Sequence, residues 1–124
     1  MKTKESNCNC GNGETIVMAC SGASDLGRLT DLSARSLRDN NDCKMSCLAL
    51  VGAGIEKSIE SFKSSKLVVI DGCPIDCGKL IMNRNGLDNY DHVRLTDLGF
   101  VKGETEISEK TMSIVSERVL EAIN

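Results

Sequence analysis

Short segments that are apolar at nearly every position recur along this chain and alternate with segments of helical periodicity. Residues 14–20, ETIVMAC, and residues 66–71, KLVVID, are two such runs, and both contain β-branched residues. Strands that are apolar on both faces are typical of a parallel sheet that helices cover on each side. The alternation therefore predicts an α/β protein.

Two further segments complete the predicted sheet. Residues 44–51, KMSCLALV, form the second apolar run, and residues 92–99, HVRLTDLG, form the fourth. Helices are predicted over residues 24–38, 55–63, 74–84 and 108–123. We predict a three-layer, doubly wound domain of Rossmann or flavodoxin type, with a short, mostly parallel sheet of about four strands in the order 2-1-3-4.

The predicted starts of the first and last helices are marked by serine residues. Ser24 and Ser108 are suited to cap the first and last helices. Ser108 and Thr111 are not the residue pair of a capping box, so we expect serine alone to cap the last helix.

Length and composition fit one domain with a polar extension at its start. A chain of 124 residues that is 40% hydrophobic is long enough to bury its own core. We predict a single domain over residues 14–124 and a loosely ordered tail over residues 1–13, which carries Cys8 and Cys10. No segment has the apolar length of a transmembrane helix or the core of a signal peptide, so we expect no membrane partner and a cytoplasmic location.

The charge pattern bears on possible partners. The formal net charge is −3, and the basic residues do not cluster. This argues against nucleic acid as the main partner.

Seven cysteines are unusual in a chain of this size. An odd number cannot pair completely within one chain. In a reducing compartment, cysteine-rich patterns indicate metal binding or thiol chemistry more often than disulfide bonds. A free cysteine, however, is often a small buried apolar residue. The position of each cysteine in the fold has to decide between these interpretations.

The predicted fold brings several cysteines to one edge of the sheet. Binding sites in open parallel sheets form beyond the carboxyl ends of the strands. Cys20 closes the first predicted strand, and Cys47 lies in or at the end of the second. Cys73 closes the third strand, and Cys77 lies just past it. Because strands one and three are predicted neighbours, we expect Cys20, Cys73 and Cys77 to share one site. Cys47 should lie beside it.

The segment GCPIDC, residues 72–77, is suited to present two thiolates from the start of one helix. Pro74 fits the first turn of a helix, which predicts Cys73 at the cap and Cys77 within the first turn. Both sulfurs would then lie near unpaired N–H groups and the positive end of the helix dipole, an environment that favours thiolates. Four thiolates complete a tetrahedral Zn²⁺ site, and they also suit an iron–sulfur cluster.

These segments together resemble a known family. DGCPIDC, with ACSGASDLG before it, MSCLALVGAG between them and HVRLTDLGFVK after, is similar to the DGC-domain family, which is named for its Asp-Gly-Cys tripeptide. The resemblance covers roughly residues 14–104. Members are commonly described as zinc-binding proteins. The family's four cysteines fall here on Cys20, Cys47, Cys73 and Cys77, and the resemblance therefore implies that these are the zinc ligands.

Other polar residues have competing explanations. Asp71 and Asp76 flank the cysteine pair, where thiolates would repel them unless a cation were present. His92 is predicted at the amino end of the fourth strand, away from the thiols, as a solvated residue. Asp97 is predicted at the carboxyl end of that strand, where it orients a ligand or forms a turn.

The remaining cysteines and the turn after the first strand carry weaker signals. Cys43 is expected to be structural, and the tail cysteines are expected to have no role unless they contact the site. Arg28 falls eight residues after Cys20, a spacing that excludes a tyrosine-phosphatase loop. Ser21 and Ser24 would suit a bound anion, although such a turn is more often only a turn. GAG, residues 52–54, lacks the rest of a dinucleotide-binding fingerprint.

Two functions follow from the residues and stay open. One is a cysteine-ligated metal-binding protein, with zinc as the expected metal. The other is a thiol-dependent redox or sulfur-transfer enzyme, with an iron–sulfur cluster as an alternative cofactor. Four cysteines close a structural site, whereas three leave a position for catalysis. The sequence offers no obvious general base beside the thiols, which favours binding.

Overall fold

Parallel strands form a four-stranded sheet in the order β2-β1-β3-β4. The strands are β1, Thr15–Ala19; β2, Lys44–Met45; β3, Lys66–Asp71; and β4, Asp91–Arg94. The computed structural model describes residues 14–124, and every strand pairing in this range is parallel. The predicted α/β class and strand order are confirmed. The predicted tail, with Cys8 and Cys10, lies outside the described residues.

Helices cover both faces of this sheet. They are α1, Asp25–Asp39; α2, Leu48–Gly52; α3, Glu56–Phe62; α4, Cys77–Arg84; and α5, Glu109–Ile123. Val17 and Ile70 pack in the core cluster formed with α1 and α5, whereas Met18 and Val69 pack with α2, α3 and α4. Successive strand residues therefore face opposite layers, which explains why the strands are apolar at nearly every position. None of the helices in residues 14–124 has the length and apolar character needed to cross a bilayer.

The second apolar run is mostly helical, and the prediction of a strand over residues 44–51 is wrong. Only Lys44 and Met45 extend beside β1, and the chain then enters α2. Leu48 and Val51, three residues apart, are both buried. A short apolar run does not distinguish a buried helical turn from a buried strand, because both bury consecutive apolar residues.

The fourth strand is shorter than predicted. β4 ends at Arg94, and Leu95–Leu98 form a 3-10 helix that Gly99 ends with a positive φ of 96°. Leu95 is fully buried, so the apolar run continues into the core in helical form.

The start of α5 corrects the predicted cap. Ser108 Oγ accepts the N–H of Thr111 at 3.2 Å, and Thr111 Oγ1 accepts the N–H of Ser108 at 3.0 Å. This reciprocal pair is a capping box in which threonine takes the place of the usual glutamate or glutamine. Val115 and Val119, four residues apart in α5, are buried.

The start of α1 packs directly on the turn that follows β1. Ser24 is the N-cap, as predicted, and its Oγ accepts the N–H of Gly27 at 3.1 Å. A Cβ atom added to Gly27 would lie 2.3 Å from the carbonyl oxygen of Gly22. Because both contacting groups are backbone, only glycine permits this approach between the helix and the turn that begins at Cys20.

We expect Gly27→Ala to lower the free energy of unfolding by roughly 1–3 kcal/mol, since overpacking against backbone outweighs the higher helix propensity of alanine. Gly52→Ala is the matched control, because its Cβ would meet only side-chain atoms of Ile81, the nearest at 3.8 Å. Urea denaturation followed by circular dichroism measures both variants. Equal stability of the two would contradict the packing argument.

Candidate functional site

Four cysteines lie just beyond the carboxyl ends of three neighbouring strands. Cys20 follows β1, and its N–H donates to the carbonyl oxygen of Ile70 in β3 at 2.9 Å. Cys47 lies two residues after β2 and is the N-cap of α2. Cys73 lies two residues after β3, and Cys77 is the first residue of α4. The predicted ligands therefore occupy one edge of the sheet.

The thiols at this edge differ in exposure. Cys20 and Cys73 are partly buried, Cys47 and Cys77 are exposed, and all four are free of disulfide bonds. Among residues 14–124, no three of these sulfurs come within 4.8 Å of one another. Metal ligation by the four cysteines stays a prediction.

The two cysteines of GCPIDC do not both lie on the helix start. Pro74 and Ile75 form a turn before the helix, closed by the N–H of Asp76, which donates to the carbonyl oxygen of Cys73 at 3.1 Å. Asp76 is the N-cap of α4 and has a left-handed backbone, with φ of 59° and ψ of 45°. The prediction that placed Pro74 in the first helical turn and Cys73 at the cap is wrong.

The carboxylate of Asp71 occupies the amino end of α4. Its Oδ1 accepts the N–H of Gly78 at 2.7 Å, and its Oδ2 accepts the N–H of Lys79 at 3.0 Å. Asp71 is only 1% exposed, so these charge-assisted bonds are made in the protein interior. The N–H groups that were expected to face the thiols therefore face Asp71 instead. A residue at the end of a strand caps a helix that begins six residues later.

Two glycines make this arrangement possible. A Cβ atom on Gly78 would lie 2.7 Å from Val69 Cγ1 and 2.9 Å from Asp71 Oδ1. A Cβ atom on Gly72 would lie 3.0 Å from Leu26 Cβ, in the first turn of α1. Within the Asp-Gly-Cys tripeptide, the aspartate thus caps α4, and the glycine lets α1 approach.

His92 lies near the amino end of β4, as predicted, but the expectation that it is solvated is wrong. β4 is only four residues long. The imidazole is 18% exposed, and its Nε2 lies 2.8 Å from Asp71 Oδ2 and 3.8 Å from Asp76 Oδ1. The parallel pairing of His92 with Val69 places it beside β3, from where its side chain contacts Asp71.

Asp71, Asp76 and His92 have the ligand types and spacing of a metal site. Their oxygen and nitrogen atoms are already engaged, however. Asp71 binds two amides and His92, and Arg94 forms a bidentate pair with Asp76 at 2.8 and 2.6 Å. The Arg94 side chain lowers the pKa of Asp76, and Asp76 in turn raises the pKa of Arg94. The group forms a network that fixes the start of α4.

Asp97 does not contact the thiols. It lies in the 3-10 helix, and its carboxylate accepts from Arg94 Nη1 at 3.1 Å. Turn formation and the ion pair with Arg94 account for this residue.

The turn after β1 is held by α1. Ser21, with φ of 52°, donates through its N–H to Thr30 Oγ1 at 3.1 Å and through its Oγ to Asp31 Oδ1 at 2.8 Å. The sulfur of Cys20 lies 3.6 Å from Thr30 Oγ1. Because the hydroxyls of Ser21 and Ser24 are engaged with the protein, the turn does not favour an anion site.

Cys43 is 3% exposed and belongs to the core cluster beneath α1 and α5. This burial favours the structural role expected for Cys43.

We expect Asp71→Ala to lower the free energy of unfolding of the metal-free protein by roughly 2–4 kcal/mol, because each buried donor left unpaired costs ~1–3 kcal/mol. Asp97→Ala is the matched control. Its side chain is 62% exposed, so the change should stay within about 1 kcal/mol. Chemical denaturation measures both, and an Asp71→Ala protein as stable as the Asp97→Ala protein would contradict the capping role.

Comparison with known proteins assigns the chain to a family. The family model described as the DGC domain matches residues 16–119. The chain is 31% identical over 88 residues to the anaerobic and virulence modulator AnvM of Pseudomonas aeruginosa, a match that covers 70% of this chain and 67% of that protein. No solved structure matches the chain significantly. The chain belongs to the DGC-domain family.

Proposed function

We propose that this protein binds one zinc ion at the carboxyl edge of its sheet, through Cys20, Cys47, Cys73 and Cys77. The observation that carries the proposal is the position of these disulfide-free thiols after three neighbouring strands. Thiolates are favoured ligands of Zn²⁺, and four of them close a tetrahedral site.

A four-thiolate site has to bring the sulfurs closer together than they lie in this structure. A Zn–S distance of ~2.3 Å brings sulfurs in a tetrahedral site to about 3.8 Å from one another. Cys20, Cys47 and Cys73 lie in connecting segments rather than in strands. Closure around a metal therefore requires local movement of these segments.

The oxygen and nitrogen donors nearby are a poorer choice for the metal. Asp71 already accepts hydrogen bonds from two amides at the start of α4, and Asp76 is paired with Arg94. A metal bound there would have to replace these bonds and would leave the first amides of α4 unpaired.

A thiol enzyme is the second candidate. Lys102 Nζ lies 3.8 Å from the sulfur of the partly buried Cys73, and Cys77 is exposed. Both features favour it, because a neighbouring cation and exposure to solvent are each typical of reactive cysteines. Cys20 contacts Thr30 and Cys73 contacts Lys102, and neither contact supplies an imidazole or a carboxylate as general base. Binding is therefore preferred. The relative AnvM is named a modulator, and by analogy we propose a binding role rather than turnover.

Protein purified without oxygen and supplied with zinc should contain about one zinc per chain, because four thiolates form one complete site. Cys73→Ser should lose this metal. Cys8→Ser and His92→Gln should keep it, since neither side chain belongs to the proposed ligand set. Elemental analysis combined with thiol titration measures all four proteins. Zinc binding should weaken as pH falls, because protons compete for the thiolates.

Other results would revise or end the proposal. Iron with inorganic sulfide would replace zinc by a cluster on the same thiols. Metal-free protein with every thiol reactive would contradict metal binding and leave the thiol enzyme as the function. Zinc that survives Cys73→Ser but not His92→Gln would move the site to the Asp71 network.

A further inference from the structure

A lysine from a distant part of the chain lies beside one of the thiols. Lys102 follows the 3-10 helix, and its Nζ lies 3.8 Å from the sulfur of Cys73. An ammonium group carries only donors, so the contact is an N–H···S hydrogen bond. Lys102 is an exposed residue.

The backbone that follows Lys102 is fastened to α1. Both carboxylate oxygens of Asp25 lie 2.9 Å from the N–H of Gly103, and Oδ2 also accepts the N–H of Thr105 at 3.0 Å. The Gly103 and Thr105 amides together lower the pKa of Asp25. Gly103 has φ of 87°, a backbone conformation that favours glycine. The first turn of α1 therefore holds the residues next to Lys102 in place.

We propose that Lys102 is a positioning residue of the zinc site, held there by Asp25. This inference rests on the zinc site proposed above. When four thiols bind Zn²⁺, each releases its proton to solvent, and the resulting centre carries a formal charge of about −2. The Lys102 ammonium offsets part of this charge and donates to the Cys73 sulfur. Donors of this kind orient metal ligands and tune metal affinity.

The first test is zinc affinity at low ionic strength, measured by competition with a chromophoric chelator. Lys102→Met should bind zinc about tenfold more weakly than the wild type. The difference should shrink as salt is added, because the ammonium group is exposed and salt screens it.

Lys63→Met is the matched control for the loss of one positive charge. Lys63 precedes β3 at the opposite edge of the sheet and pairs with Glu60 on the surface. Its removal should leave zinc affinity unchanged, since an exposed pair of this kind contributes little.

Asp25→Ala separates positioning from charge. If charge alone matters, removing the negative charge of Asp25 near the anionic zinc–thiolate centre should leave zinc affinity unchanged or raise it. If Asp25 acts by holding Lys102, Asp25→Ala should weaken binding about as much as Lys102→Met does. The double variant should then be no weaker than either single variant, because the two residues act as one unit.

Binding of Co²⁺ in place of zinc gives an absorption band that reports on the thiolate ligands and not on folding alone. The thiolate-to-Co²⁺ charge-transfer band of Lys102→Met should shift relative to the wild type, and that of Lys102→Arg should shift less. Circular dichroism of each metal-free variant checks that it is folded. If the wild type binds neither zinc nor cobalt, the zinc site and this inference both fail. If the wild type binds zinc, and Lys102→Met and Asp25→Ala match its affinity and spectrum, this inference fails while the zinc site stands.

Discussion

The buried carboxylate of Asp71 is the interaction on which the carboxyl edge of this protein depends. Asp71 ends β3 and accepts hydrogen bonds from the N–H groups of Gly78 and Lys79 in the first turn of α4, so one side chain joins the strand to the helix. These two hydrogen bonds fix where α4 begins and leave residues 72–76 to form a turn between the strand and the helix. Cys73 lies within this turn and Cys77 lies immediately after it. The placement of one thiol in the turn and the other on the helix is thus a consequence of how Asp71 caps α4.

At the carboxyl edge of the sheet, the carboxylates bind to nitrogen groups of the protein itself. Asp71 holds His92 and the amides of α4, and Arg94 holds Asp76. Within residues 14–124, the Cys20 sulfur contacts the hydroxyl group of Thr30, and the Cys73 sulfur contacts the exposed ammonium group of Lys102. This separation supports the proposed zinc site, because the carboxylates are used by the fold and the thiols stay available to a metal.

Much of the fold could be predicted because its signals are local. The run KLVVID specifies β3, and the helical periodicity of residues 108–123 specifies α5. Parallel topology then gathers the cysteines at one edge. The errors arise where tertiary contacts decide the structure. Residues 48–52 are apolar enough for a strand but pack as a helix. Pro74 has the local signature of a helix start, yet the carboxylate of Asp71 moves that start to Cys77. The burial of His92 depends on its contact with Asp71 in the neighbouring strand, which no local pattern specifies.

X-ray absorption at the zinc edge of the loaded, full-length protein tests the central claim most directly. The account predicts a shell of four sulfur atoms at ~2.3 Å, the distance typical of zinc–thiolate bonds. A shell of nitrogen and oxygen atoms at ~2.0–2.2 Å would contradict it, because it would place the metal on histidine and carboxylate ligands instead of on the thiols.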